Sequence, residues 1–108
     1  MAYDEALAER VRERLGVLPG VSDKRMFGGL AFLTEGNLTV CVTGDDLMVR
    51  VGKDTYDQAL TLPGVRPVDM SGRPMRGWVV VDGAELDDEV LDGWLDRASV
   101  FVRALPPK

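Results

Sequence analysis

Lys24-Arg25-Met26-Phe27-Gly28-Gly29, running on into Leu30-Ala31-Phe32-Leu33, decides how this chain is laid out. A charged lead-in, a bulky apolar pair, two glycines and a second apolar run predict a tight bend between two strands. Glycine tolerates positive φ and close backbone approach, so the Gly-Gly step is the device that sets how the strands meet.

Downstream of that bend the hydrophobic period stays at two. The first strand is expected over about Lys24–Phe27 and the second over Leu30–Thr34. Glu35-Gly36-Asn37 reads as a turn. Leu38, Val40 and Val42 then alternate with Thr39, Cys41 and Thr43, the mark of a strand with two different faces. After Gly44-Asp45, the stretch Asp46–Val51 sets Leu47, Val49 and Val51 against Met48 and Arg50. Short links between consecutive strands predict an antiparallel meander.

Upstream, Tyr3, Leu7, Val11 and Leu15 recur every four residues, which predicts a helix over 3–15. Asp4 and Glu5 lie near its start and Arg10, Arg12 and Arg14 in its later turns, as the helix dipole prefers. Further along, Asp54–Leu60 reads as a short helix and Arg66–Asp69 as an edge strand. Ser71–Gly77 reads as a polar hinge, and Trp78–Val81 as a strand buried on both sides. The last helix is the longest, with a stripe of Leu86, Val90, Leu91, Trp94, Leu95, Ala98, Val102 and Leu105. The predicted class is α+β: two layers, an antiparallel sheet of about five to six strands packed against helices, in a single domain spanning 1–108.

Composition narrows the function. The formal net charge is −5. It divides into −2 over residues 1–23, +1 over 24–76 and −4 over 77–108. An acidic chain with no basic stripe is a poor candidate for direct nucleic-acid binding, which relies on phosphate neutralisation. No apolar run approaches the length of a membrane span, and the N-terminus lacks the pattern of a signal peptide. The single cysteine, Cys41, excludes an internal disulfide and suits a reducing, cytoplasmic setting.

The 108 residues include no histidine, which removes the usual general base and the commonest metal ligand. No Ser-His-Asp or Cys-His pair can exist. Cys41 reads as a small strand side chain. Asp45-Asp46 suits a turn, and Asp87-Asp88-Glu89 the start of a helix; neither has the alternating spacing of a calcium loop. No catalytic residue, cofactor or metal is expected, and an enzyme is the least favoured class. Gly28-Gly29 lacks the following lysine and helix of a phosphate loop.

The arginines are the least ordinary feature. Arg25, Arg50, Arg66, Arg73 and Arg76 all fall in or beside the sheet, and the guanidinium fork suits carboxylates and phosphates. They read either as scattered surface groups paired with Asp54, Asp57 and Asp69, or as donors converging on an anion or an acidic partner. The face holding Met48, Arg50, Cys41, Thr39 and Thr43 is expected to be open if helices cover the Leu38/Val40/Val42 side. Arg25, Met48, Arg50, Arg73 and Arg76 are therefore the candidate interaction or anion-binding residues.

With these elements in order, the chain resembles the TfoX N-terminal domain family (TfoX/Sxy). The resemblance is carried by Arg25-Met26-Phe27-Gly28-Gly29, Gly36-Asn37-Leu38, Asp46-Leu47-Met48-Val49-Arg50-Val51 and Met75-Arg76-Gly77-Trp78-Val79-Val80-Val81, across roughly residues 3–105. It implies a secretion-chaperone-like α+β fold and a cytoplasmic, regulatory role. Two-domain members carry a C-terminal helical domain resembling helix-hairpin-helix DNA-binding units. Residues 1–108 contain no such segment, so a DNA-linked role held there is not expected to transfer. The expected function is a non-catalytic regulatory or interaction domain acting by contact with a protein partner. The alternative is a small-molecule or anion-binding domain using the sheet arginines. An open sheet face also permits a homodimer.

Overall fold

The computed structural model describes residues 3–26, 28–70 and 73–107, with the side chains of 69, 70, 73 and 74 outside the description. Helix α1 (Glu5–Leu15) is followed by the meander β1 (Val21–Met26), β2 (Gly29–Thr34), β3 (Asn37–Thr43) and β4 (Asp46–Arg50). Then come the short helix α2 (Tyr56–Ala59), the hairpin β5 (Val65–Met70) and β6 (Arg73–Val81), a 3-10 turn over Gly83–Glu85, and helix α3 (Asp88–Arg103). The strands form one six-stranded sheet in the order β1-β2-β3-β4-β6-β5, antiparallel at every pairing. The α+β class and the antiparallel sheet hold as predicted.

The glycine step behaves as expected. Gly28 has φ +72°, and a Cβ at Gly29 would collide with the Val42 carbonyl oxygen of β3. The first strand starts earlier than its sequence suggests, at Val21, and Phe27 lies outside the described residues. The segment read as a polar hinge corresponds largely to the first half of β6, since Arg73 already pairs with Met70. Pairing with β5 supplies backbone hydrogen bonds that a polar, proline-containing sequence does not advertise.

One face of the sheet carries the core. Leu30 and Phe32, Val40 and Val42, Leu47 and Val49, and Val79 and Val81 meet Leu7, Val11 and Leu15 of α1 and Leu91, Trp94, Leu95 and Ala98 of α3. Asp4 caps α1 by accepting from the Ala6 and Leu7 amides, and Asp87 caps α3 by accepting from the Val90 amide. Arg10 ties the helices together, donating to the Leu86 carbonyl at 2.7 Å and to Asp88 at 3.1 Å. Val90, expected in the buried stripe, is 38% exposed at the start of α3, and the stripe runs from Leu91 to Val102 instead.

A bulge changes the alternation of β3. Phe32 pairs with Val40 but Leu33 pairs with Leu38, which leaves Thr39 as the extra residue. Thr39 is fully buried, and its hydroxyl lies 2.9 Å from that of Thr34. Leu38 therefore joins the opposite face, where the strict alternation predicted Thr39.

Candidate functional site

No helix covers the second face of the sheet. Residues paired across a ladder share a face, so the register assigns Lys24, Ala31 and Cys41 to this side, with Met48 and Val80 beyond them. Ala31, Cys41, Met48 and Val68 are buried here, under half-buried Met26, Leu33, Leu38, Met75, Trp78 and Val80. Met48 is 5% exposed, so it lies beneath the candidate contact surface it was expected to form. The half-buried side chains of this face pack against the cluster that contains it. What reaches solvent is a methionine- and leucine-containing apolar patch. Among the described side chains, the charged residues on the same face are Lys24, Arg50 and the mutually bonded pair Arg66–Asp46, at 2.7 Å.

Cys41 lies in an environment that disfavours the reactive thiolate. It is fully buried, and burial pushes its thiol pKa up to about 11.

The candidate arginines separate. Arg25 sits on edge strand β1 opposite Leu30, which places it on the helix-bearing side, away from Arg50. Arg73 has its backbone in β6, but its side chain lies outside the described residues. Arg66 is engaged by Asp46, whose carboxyl is held below the usual range: burial opposes this, but hydrogen bonds from Arg66 and the Gly83 amide outweigh it.

Arg50 and Arg76 do come together. Strand β4 ends at Arg50, and the chain turns through Gly52, φ +86°, beside Gly77, φ +97°, in β6. The Gly77 carbonyl accepts from the amides of Val51 at 2.8 Å and Gly52 at 3.0 Å. These contacts leave a hollow of about 300 Å³ lined by Arg50, Gly52, Lys53, Asp54, Arg76, Gly77, Trp78 and Phe101. The Arg50 guanidinium lies 5.6 Å from the Trp78 ring and 5.7 Å from that of Phe101, and Nη1 donates to the Leu38 carbonyl at 3.3 Å. Arg76 lies 5.2 Å from the Tyr56 ring and 3.8 Å from Asp57. Among the described residues no carboxylate pairs with Arg50 or Lys53.

Of this lining the sequence singled out Arg50 and Arg76; Asp54, Gly77 and Trp78 were read in other roles, and Lys53, Gly52 and Phe101 were missed altogether. The Gly52-Lys53 step directly after a strand was the available signal. Phe101 carried none, because only the packing of α3 brings its ring to Gly52.

The fold and this site define a small α+β domain with one helical layer, an uncovered sheet face and a cationic hollow at the sheet's margin. The chain belongs to the TfoX N-terminal domain family, whose model matches residues 13–101, from within α1 to the last turns of α3. No curated protein and no solved structure matches it significantly.

Proposed function

We propose that this is a non-catalytic, regulatory interaction domain that holds a protein partner on its helix-free sheet face. The observation that carries the reading is the contrast between that face and the whole chain. The face presents Met26, Leu33, Leu38, Met75, Trp78 and Val80, and among the described residues the charges on it that make no ion pair are Lys24 and Arg50, both cationic, in a chain of net charge −5. The matching partner surface is apolar side chains flanked by carboxylates. Methionines adapt to varied contacts, which suits such a surface. The buried, protonated thiol of Cys41 supports the non-catalytic part of the reading. A free buried cysteine also accords with a cytoplasmic setting. Among the described residues no helix is long and apolar enough to cross a membrane.

The test is amide exchange on the folded domain with and without the protein it captures from host lysate, comparing wild type with Leu33→Asp. Protection confined to β2, β3 and β6, and lost in the variant, supports the reading. Protection on α1 and α3, or equal capture by the variant, overturns it. Sedimentation in parallel detects a second copy of the chain as the occupant.

A further inference from the structure

We propose that the hollow between β4, β6 and α3 is a binding site for a small organic oxyanion, a phosphate monoester or a carboxylate, with a compact ring or chain attached. The proposal does not rest on the partner-binding reading: the hollow shares Arg50 and Trp78 with the margin of that face but takes a different class of ligand.

Three observations converge on it. First, charge: the lining holds three cations, Arg50, Lys53 and Arg76, against one carboxylate, Asp54, on a molecule of net charge −5. Such local reversal in a concave site raises the local concentration of anions. Outside the lining, Asp57 competes for Arg76 at 3.8 Å. The side chains of that pair are 60% and 82% exposed, so solvent screening leaves the guanidinium available.

Second, Arg50 is pre-positioned. Two aromatic rings and the Leu38 carbonyl hold its guanidinium. That carbonyl bond uses one of five N–H donors, so little side-chain freedom remains to be lost when an oxyanion is bound. A guanidinium fork with an adjacent ammonium is the donor set that carboxylates and phosphates require.

Third, the glycines shape the hollow. Gly52 and Gly77 both have positive φ and lie backbone to backbone: a Cβ at Gly77 would be 3.5 Å from the Gly52 carbonyl carbon and the Lys53 nitrogen. Trp78 and Phe101 supply apolar wall. At about 300 Å³ the hollow matches the small end of ligand pockets, enough for one head group and one ring.

The experiment is a ¹H–¹⁵N titration of the whole domain with four probes: phenyl phosphate, benzoate, inorganic phosphate and phenol. Saturable shifts at the Gly52, Lys53, Gly77 and Trp78 amides are expected with phenyl phosphate or benzoate. Inorganic phosphate should bind more weakly and phenol should leave those amides unmoved. Whichever of the first two binds more tightly identifies the head group. Arg50→Gln should raise Kd about tenfold or more, since it removes a charge-assisted donor. Arg50 also packs between rings, so exposed Lys53→Gln serves as the second variant, with a rise of about threefold or more. Arg12→Gln, on α1, should leave Kd unchanged. Shifts that fail to saturate, that centre elsewhere, or that respond equally to Arg12→Gln and Lys53→Gln overturn the proposal.

Discussion

Gly52 lies directly against Phe101: a Cβ built at Gly52 would sit 2.5 Å from Cε1 of that ring. The residue is also at φ +86°, where L side chains are strained. Gly52→Ala is therefore expected to cost about 2 kcal/mol or more, through strain and displacement of the ring together. Urea denaturation measures this. An unchanged midpoint would show that Phe101 turns away freely and that the hollow has no fixed wall there.

Met48 faces Cys41 and Val80 beneath the apolar patch and is 5% exposed. Met48→Asp should lower stability by about 3 kcal/mol or more, because it buries an unpaired carboxylate. A Met48→Asp protein as stable as wild type would place that side chain at the surface.

Cys41 should resist alkylation. With its pKa pushed to about 11 and its side chain fully buried, the thiolate fraction is small near neutral pH. Iodoacetamide at pH 8 should label it only at the rate of opening, and urea should accelerate labelling sharply. The sign for stability follows. The thiol's contribution is complete below its unfolded value near pH 8.5 and is lost as pH rises through the folded value.

Asp46 behaves in the opposite sense. Burial disfavours its carboxylate, but Arg66 and the Gly83 amide hold the folded value below normal. Its contribution is present above the unfolded value near pH 4 and is lost as pH falls through the folded one. Asp46→Asn should cost about 1 kcal/mol at pH 7. It should also flatten the acid limb of a plot of thermal midpoint against pH.

Adjacent positions in α3 should respond differently. Leu91 is fully buried against the sheet while Val90 is 38% exposed. Leu91→Ala should cost about 3 kcal/mol, as expected for a cavity in a packed core. Val90→Ala should stay within about 1 kcal/mol. Chemical denaturation of the pair assigns the buried face of the helix.

Much of this architecture was legible locally. The period of two around Gly28-Gly29 and the four-residue spacing of α1 appear in the sequence because each element must show one apolar face to a common core. The aspartate caps at Asp4 and Asp87 were legible as acids at helix starts. The bulge at Thr39 was not, since it depends on how β2 and β3 register, and it moved Leu38 to the other face. The first half of β6 was also hidden, because its ladder with β5 draws on backbone groups common to every residue except proline.

The site divides in the same way. By itself the sequence determined that five arginines fall in or beside the sheet and that no histidine is present, because residue type and position along a strand are local facts. Only the tertiary structure decided which cations meet. Inserting β6 between β4 and β5 brings Gly77 beside Gly52 and carries Arg76 to Arg50, while β1 keeps Arg25 at the far edge. Strand order is set by long-range pairing and by how well the apolar faces pack together, and neither is written in any single stretch of the chain.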